Sequence, residues 1–266
     1  MVGIGLLFFL ILSIYVVAPG RTNILVTGID YTDPGNAVAR TDSIMLTTFV
    51  PYKPYIGILS VPRDLWVVIP GAGENRINTA HFYAESTQPG AGPQALLQTI
   101  QLNFGLKIVY YIRIRFEGFR DVVDAIGGVD IYFNEPKAGY PAGWQHLTGR
   151  KALAFVRDRS GSDDFFRMSD GQLMVKSLLM NMLNPLKWPR LPGVAKAFFN
   201  AVDTNLPKWM WPRLGLLLIL KGPNGIDYHI IDRHMVTSFT TDQGAQVLRP
   251  NWNAVNPLVQ GIFGKQ

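Results

Sequence analysis

Arginine and aspartate side chains cluster at a few points where apolar runs of the chain end. Asp30 follows NILVTGI, and Asp42 lies in RTDS. The arginines with this placement are Arg40, Arg63, Arg157, Arg159 and Arg167. Carboxylates can hold a hard cation such as Mg²⁺, with Mn²⁺ as the alternative, and guanidiniums bind phosphate through paired planar hydrogen bonds. Because only 17% of the residues are charged, this clustering predicts a phosphate site.

The spacing of these residues indicates how strands would position them. Asp30 directly follows one candidate strand and Asp42 precedes the next. Adjacent pairing of the two strands would bring both carboxylates to one end of a sheet, where open α/β sheets bind ligands. Arg157 and Arg159 are two residues apart, so in an extended segment they would point to the same side. That arrangement would let both guanidiniums contact one phosphate group.

The periodicity of the chain predicts one α/β domain over residues 21–266. Short runs rich in branched residues predict strands at 23–29, 44–50, 55–61, 65–69, 109–116, 129–133 and 225–232. Helical spacing predicts helices at 92–103, 119–126, 168–183, 194–202 and 252–263. Residues 184–266 form a less regular C-terminal portion that is rich in proline and tryptophan. Within it, the apolar run 214–220 is too short to span a membrane and is interpreted as core.

Composition limits the class of protein. With 266 residues, 48% of them hydrophobic, the chain can bury one substantial core. A net charge of +6 favours an anionic ligand, an anionic membrane surface or nucleic acid. The absence of cysteine excludes disulfides, thiolate catalysis and cysteine-ligated zinc.

The N-terminal residues indicate a membrane segment. Residues 2–18 form an apolar run that is followed by Pro19, Gly20 and Arg21. At about 1.5 Å per residue the run covers roughly 26 Å, enough to cross a thin bilayer. We therefore expect residues 1–20 to be an uncleaved anchor. A cleaved signal peptide is the alternative, because Val16 and Ala18 resemble a small-residue cleavage site.

Several motifs occur in an order that resembles the LytR-CpsA-Psr (LCP) family, from about residue 23 to residue 183. They are NILVTGID, RTDSIML, ILSVPRD, NRINTAHFYAE, GFRDVVDAIGGVDI, LTGRKALAFVRDR and DFFR. The resemblance implies a single mixed β-sheet flanked by helices, placed on the extracytoplasmic side of the membrane. It also implies an enzyme that moves a glycopolymer such as teichoic acid, with one phosphate, from a polyprenyl-pyrophosphate carrier to peptidoglycan through a phosphodiester link.

The resemblance assigns roles to individual residues. In the family, the aspartates of the GxD and RTD motifs bind Mg²⁺, which implies Asp30 and Asp42 here. The motif arginines contact pyrophosphate, which implies Arg40, Arg63, Arg157, Arg159 and Arg167. Of these residues, Asp30, Asp42, Arg40 and Arg63 are the expected catalytic set.

Four further residues are weaker candidates. We expect Asp64 to orient Arg63, and Arg76 and Asn78 to lie at the rim of the site. After DFFR the family commonly has Arg-Gln-Gln, whereas this chain has Asp170, Gly171 and Gln172. The departure leaves Gln172 as the candidate from that motif.

The lipid part of such a substrate requires an apolar slot between helix and sheet. The candidate walls are Leu96, Ile100, Phe104, Phe119, Val122, Val123 and Ile126, together with the apolar stripe of residues 173–183. The sequence does not distinguish such a tunnel from an ordinary packed core.

Other chemistries have little support. His81, His146, His229 and His234 show no metal-binding spacing and are interpreted as structural. The chain has no GxSxG, no Walker loop and no basic recognition helix, so no nucleic-acid partner is expected. Two alternatives to polymer transfer stay open. One is a Mg²⁺-dependent pyrophosphatase that uses the same residues, and the other is a non-catalytic protein that binds lipid-linked glycan.

Overall fold

A six-stranded mixed sheet forms the centre of the protein in the computed structural model, which describes residues 20–29, 38–158 and 164–264. The strands are β1 (Thr22–Ile29), β2 (Thr41–Val50), β3 (Tyr55–Val61), β4 (Trp66–Ile69), β5 (Gly73–Arg76), β6 (Tyr110–Arg115), β7 (Val129–Phe133), β8 (Gly143–Leu147), β9 (Val202–Thr204), β10 (Asp227–Ile230), β11 (Val236–Thr240) and β12 (Gln246–Pro250). The central sheet has the order β10-β3-β2-β1-β6-β9. The pairs β4-β5, β7-β8 and β11-β12 form separate hairpins.

Helices cover both faces of this sheet. They are α1 (Thr79–Thr87), α2 (Gly92–Phe104), α3 (Phe116–Ala125), α4 (Gly149–Arg157), α5 (Asp164–Leu183), α6 (Leu191–Ala201), α7 (Met210–Lys221) and α8 (Trp252–Phe263). Short 3₁₀ turns lie at Pro185–Arg190, Pro223–Gly225 and Arg233–Met235. The predicted α/β class is confirmed, with one mixed sheet between helices.

The register of β1 and β2 matters most for the site. The two strands pair antiparallel, and Ile29 lies opposite Thr41, the residue before Asp42. The predicted adjacency of the two strands is therefore correct. Asp42 lies inside β2, one residue from its start, rather than before it. β1 also pairs in parallel with β6, so its buried residues contact strands on both sides.

The two faces of the central sheet are packed differently. On one, called here the packed face, Leu25, Leu46 and Leu59 are fully buried against α2 and α8. On the other, called here the open face, Met45 and Ile58 belong to a cluster that includes residues of α5 and α7. Alternate residues of a strand point to opposite sides, so each strand contributes to both layers.

Several sequence predictions require correction. Phe116 begins α3 instead of ending β6, and α5 begins at Asp164, four residues before its predicted start. The run 214–220 is only half core, because Leu217 is buried whereas Ile219 and Leu220 are 61% and 63% exposed.

The predicted anchor at residues 1–20 lies almost entirely outside the described residues. Within the described part of the chain, no helix combines the length and apolar character needed to cross a membrane.

Candidate active site

A pocket of about 410 Å³ opens on the open face, between the sheet and helices α3, α4 and α5. Its interior is apolar, and its walls include Val26, Met45, Ile114, Phe119 and Val175. Charged side chains line another part, namely Asp42, Arg63, Arg157, Asp164 and Arg167. We call the charged part the mouth and the apolar part the interior. Pockets of this size, roughly 300–1,000 Å³, are typical of small-molecule sites.

Arg63 is at the centre of the charge network in the mouth. Its Nη1 donates to Asp42 Oδ1 over 2.6 Å, and its Nε lies 3.4 Å from Asp164 Oδ2. Asp164 in turn forms an ion pair with Arg167, one helical turn further along α5. The side chains of Asp42, Arg63, Asp164 and Arg167 are between 16% and 29% exposed. Arg63 and Arg167 are therefore held at the mouth by carboxylates and remain within reach of a ligand.

The turn that carries Arg63 is braced by the weaker candidates. Asp64 lies 3.6 Å from Arg63 Nε and 3.1 Å from Arg76 Nε. The backbone N–H of Asn78 donates to Arg63 O over 3.3 Å, and Arg76 Nη2 donates to the carbonyl of Gln246 over 2.8 Å. Asp64, Arg76 and Asn78 thus contact Arg63 or one another, and none of them is a lining residue of the pocket. They orient the turn.

Arg157 reaches the pocket from the end of α4. Its guanidinium lies 5.0 Å from the centre of the Phe116 ring, a cation–π arrangement. Gly28 permits this packing, because a Cβ there would lie 3.0 Å from the same ring and 2.8 Å from Ser43 Oγ. Arg157 is the last residue of a helix and not part of an extended segment. Arg159, its predicted partner, lies outside the described residues.

Arg40, a member of the expected catalytic set, does not line the pocket. Its guanidinium lies 5.8 Å from the centre of the Phe82 ring on α1, and the residue is exposed. The preceding residue is fixed by a buried histidine, since His81 Nδ1 lies 2.8 Å from the carbonyl oxygen of Ala39. A carbonyl only accepts, so Nδ1 carries the proton and Nε2 accepts from Arg113 Nη1 at 3.1 Å. His81 is therefore structural and fixes the start of the segment that carries Arg40 and Asp42.

Electrostatics around His81 keep it neutral. Burial lowers the pKa of His81, and the positive charge of Arg113 lowers it further. Burial alone would raise the pKa of Glu85, but hydrogen bonds from the N–H groups of Gly90 and Gly92, together with Arg113, hold it below its usual range. The arginine and the carboxylate thus form the charged pair, 3.1 Å apart, and the imidazole carries no charge.

The three residues that stand in place of the Arg-Gln-Gln pattern have different surroundings. Asp170 is buried in an ion pair with Lys137, and burial raises its pKa against the opposing effect of the lysine. Gln172 donates through Nε2 to Ser60 Oγ at 2.9 Å and to the carbonyl of His229 at 2.6 Å. Gln172 therefore ties α5 to β3 and β10. Gly171, which lies between Asp170 and Gln172 in the chain, lines the pocket and has no side chain to fill it.

The predicted apolar walls lie in three different places. Phe119 lines the pocket. Leu96, Ile100 and Phe104 pack into the core on the packed face and do not line this pocket. Val122, Val123 and Ile126 are buried in the cluster between α3, α5 and the β7-β8 hairpin. Met174 and Val175 of the predicted stripe 173–183 line the pocket as expected, and strands β1, β2 and β6 supply much of the remaining wall.

Comparison with known proteins decides the family. The profile of the LytR_cpsA_psr family matches residues 13–253, most of the chain. The chain belongs to the LytR_cpsA_psr family. The resemblance read from the motifs is thereby confirmed.

Curated members of the LytR_cpsA_psr family are similar over much of the chain. The regulatory protein MsrR of Staphylococcus aureus (strain COL) is 29% identical over 215 residues, covering 78% of this chain and 63% of MsrR. The TagU protein of Bacillus cereus (strain ATCC 14579), a polyisoprenyl-teichoic acid–peptidoglycan teichoic acid transferase, is 35% identical over 191 residues, covering 69% of this chain and 60% of TagU. The chain thus spans about three fifths of the length of these relatives.

A solved structure supports the same fold. The crystal structure of TagV from Bacillus subtilis superposes with a TM-score of 0.75 at 22% identity, covering 93% of this chain and 99% of TagV. At this identity the likeness establishes the fold alone. It agrees with the mixed sheet between helices described above.

Within this LytR_cpsA_psr chain, Asp164 is the site residue that the sequence reasoning missed. The DFFR motif drew attention to its arginine, whereas the aspartate three residues earlier pairs with both Arg63 and Arg167. The i, i+3 spacing of Asp164 and Arg167 was a usable signal, because such residues are neighbours on a helix.

The residues present fit a hard cation in part. Asp42 places a carboxylate in the mouth, and Mg²⁺ in phosphate-binding sites usually takes one or two carboxylates together with phosphate oxygens and water. Asp30, the other expected ligand, lies outside the described residues and directly follows Ile29, the partner of Thr41. Among the described residues, no group of three or more His, Cys, Asp or Glu side chains could hold an ion. Of the two expected ligands, Asp42 is therefore the one that the structure places in the pocket.

Proposed function

We propose that this protein transfers a glycopolymer, with one phosphate, from a polyprenyl-pyrophosphate carrier to peptidoglycan. The observation that carries the proposal is the two-part pocket, which joins a mouth containing three arginines to an apolar interior. A lipid-linked pyrophosphate has the same two-part chemistry. The name of its relative TagU, a teichoic acid transferase, supports the same reaction class.

The pocket suggests how the donor would lie. The isoprenoid chain would occupy the interior among Val26, Met45, Phe119 and Val175. The pyrophosphate would lie at the mouth within reach of the guanidiniums, which bind phosphate oxygens in paired hydrogen bonds. Burial of the isoprenoid chain would exclude water from one side of the reacting phosphate.

The reaction needs no nucleophilic side chain of the enzyme. An acceptor hydroxyl oxygen attacks the glycan-side phosphorus, forming a new P–O bond. The bridging P–O bond breaks, polyprenyl monophosphate leaves, and the hydroxyl proton passes to a base or to the leaving phosphate. Negative charge develops on the transferred and leaving oxygens, so Arg63, Arg157 and Arg167 would catalyse by positioning and electrostatic stabilisation.

Mg²⁺ would be held by Asp42 and Asp30, and when bound it would neutralise charge on the pyrophosphate. Asp164 would orient Arg63 and Arg167 toward the same group, because it pairs with both. Whichever of Asp42 and Asp30 is not fully committed to the cation is the candidate to accept the hydroxyl proton. Arg40 and Arg159 would complete the arginine set.

The substrate also suggests the location of the enzyme. Polyprenyl carriers reside in the bilayer, so residues 1–20 would anchor the chain in the cell membrane with the domain outside the cytoplasm. Gly20 and Arg21 are the first described residues, and Arg21 Nη1 donates to the carbonyl of Ile262 at 2.9 Å. The start of β1 is thus fixed to the end of α8.

A transfer assay tests the proposal. The full chain in lipid nanodiscs is given synthetic polyprenyl-pyrophosphate glycans and peptidoglycan fragments, with and without Mg²⁺, and the products are identified by mass spectrometry. Wild type should form the phosphodiester-linked conjugate. Arg63→Ala and Asp42→Ala should each lower the rate about 10²–10³-fold, the usual effect of removing one electrostatic contact.

Arg120→Ala is the matched control, because Arg120 forms an exposed pair with Asp121 outside the pocket. It should keep full activity. Release of free glycan phosphate without conjugate, in the presence of acceptor, would identify a pyrophosphatase instead. Donor binding with no turnover would identify a non-catalytic glycan-binding protein.

A further inference from the structure

The outer side of α7 is apolar where a surface helix is normally polar. Its inward residues Met210, Leu214 and Leu217 are buried. Its outward residues include Ile219 and Leu220, which are 61% and 63% exposed, and Trp209 just before the helix is 57% exposed. At 100° per residue these three positions form one stripe along the helix. A helix that is apolar on both sides normally packs between two layers.

A further exposed aromatic side chain lies on the neighbouring helix α6. Phe199 is 52% exposed, and its ring contacts the ring of Trp211 with the centroids 5.4 Å apart. This contact joins the end of α6 to the start of α7. We call the set Phe199, Trp209, Ile219 and Leu220 the α6–α7 surface. Exposed apolar side chains gathered on two neighbouring helices in this way are typical of surfaces that bind proteins or membranes.

The segment that carries the α6–α7 surface is basic, although two of its cations are bound elsewhere: Lys187 pairs with Asp130 at 3.2 Å and Arg190 donates to the carbonyl of Ile126 at 3.1 Å. The segment 184–221 contains six basic residues, namely Lys187, Arg190, Lys196, Lys208, Arg213 and Lys221. Its one acidic residue, Asp203, is bound by Arg113 Nη2 at 2.7 Å. This segment therefore carries most of the net charge of +6. Lys196 and Lys208 are exposed beside the apolar side chains.

The position of α7 relates this surface to the pocket. Leu217 and Leu218 on α7 pack in one cluster with Met45 and Val175, which line the pocket interior. Near the other end of α7, Met210 and Leu214 pack with Ile24 of β1. The chain that follows the predicted anchor thus enters the domain beside α7.

We propose that the α6–α7 surface docks onto an anionic lipid bilayer. In proteins that bind a membrane surface, Trp, Phe and Leu side chains insert at the boundary between the lipid headgroups and the acyl chains. Lysines that flank them contact the anionic headgroups. Docking there would hold the pocket interior against the membrane that supplies the lipid carrier. The inference rests on the proposed membrane location of the enzyme, and it adds a second contact besides the anchor.

The absence of cysteine makes a direct test possible. Ile219→Cys and Leu220→Cys in the full chain are each labelled with an environment-sensitive fluorophore and reconstituted in vesicles containing phosphatidylglycerol. Brominated acyl chains should quench both labels at least about twofold, since a docked surface lies roughly 5–10 Å into the interface. Leu102→Cys is the matched control, because Leu102 is 57% exposed on α2, on the packed face. It should show little quenching.

A second pair of variants tests the choice of lipid. Lys196→Glu with Lys208→Glu should reduce quenching at residue 220 severalfold in anionic vesicles, and pure phosphatidylcholine should have the same effect on wild type. Equal quenching at positions 102, 219 and 220 would overturn the proposal. A fluorescence shift that needs no lipid and grows with protein concentration would assign the surface to a second copy, which also overturns it. The transfer assay on the same vesicles reports separately on the proposed function.

Discussion

The packed and open faces of the central sheet carry similar apolar residues. On the packed face these residues fill a core, and on the open face they line a pocket. On the packed face, a Cβ added at Gly57 would lie 2.6 Å from Ile262 Cγ2, so α8 leaves no room even for a methyl group. On the open face, a Cβ at Gly171 would meet Met45 Cε at 3.3 Å and nothing nearer. Leucine and methionine fill space on the first face and line space on the second. Apolar composition therefore does not distinguish a packed core from a cavity. The distance between the covering helix and the sheet decides between them.

The largest effect is expected when one buried side chain is truncated on each face. Leu59→Ala, on the packed face, should lower the free energy of unfolding by about 2–5 kcal/mol, because it creates a closed cavity. Met45→Ala, on the open face, should cost no more than about 2 kcal/mol, because the space beside its side chain is already open. Urea denaturation measures both. Equal losses would mean that the open face is packed like a core.

The next effect concerns the mouth. Asp164→Asn should lower the rate of polymer transfer by about 10²-fold, because Arg63 and Arg167 lose the carboxylate that positions them. The loss should fall mainly on kcat, with little change in the free energy of unfolding. Asp164→Glu should restore part of the rate. Asp121→Asn, which removes an exposed carboxylate paired with Arg120, is the control and should have no effect.

A smaller effect is expected from filling the interior. Gly171→Leu should weaken binding of a polyprenyl pyrophosphate about tenfold by occupying part of the pocket, and the free energy of unfolding should change by less than about 1 kcal/mol. Gly261→Leu introduces the same side chain at an exposed position of α8 that has open space around it. That control should bind normally. Unchanged binding in Gly171→Leu would place the lipid elsewhere.

The smallest effect is a pH dependence of stability that arises from His81 in α1. His81 is neutral when folded because burial lowers its pKa, whereas in the unfolded chain it takes up a proton below about pH 6.5. The unfolded state then binds more protons, so stability falls as the pH drops, by at most roughly 1.4 kcal/mol per pH unit. His81→Gln should reduce this slope, and His234→Gln, at an exposed position, should not. An unchanged slope in His81→Gln would show that another group is responsible.

Much of the sheet could be predicted from the chain. The run of branched residues at 55–61 matches β3, and that at 23–29 lacks only the first residue of β1. These strands are buried and bounded by turn residues, so a local pattern sufficed. The strand at 65–69 was found as well, yet it pairs with Gly73–Arg76 in a separate hairpin, because local patterns do not encode partners.

The site was predictable in its charges and only in part in its walls, of which Phe119, Met174 and Val175 line the pocket. The linked motifs identified Asp42, Arg63, Arg157 and Arg167, which the structure brings to one pocket. Leu96 and Ile100 have the apolar spacing expected of a lipid wall, but they lie on the packed face. Periodicity specifies which side of a helix is buried, and the distance to the opposing layer depends on the whole fold. Helix α1 was missed because its buried residues include His81 and Glu85, which form no apolar stripe.

The outermost strands of the central sheet come late in the chain, which has a consequence for folding. β9 completes one edge by pairing with β6, and β10 completes the other by pairing in parallel with β3. Asp227 of β10 lies opposite Gly57, 170 residues earlier. Until the last third of the chain is available, the longer strands β3 and β6 form the edges of the sheet, and their unpaired backbone groups can pair with other chains. We therefore expect slow folding, as is usual for pairings so distant in sequence. A fragment that ends at Leu183 should aggregate although it contains every recognised motif.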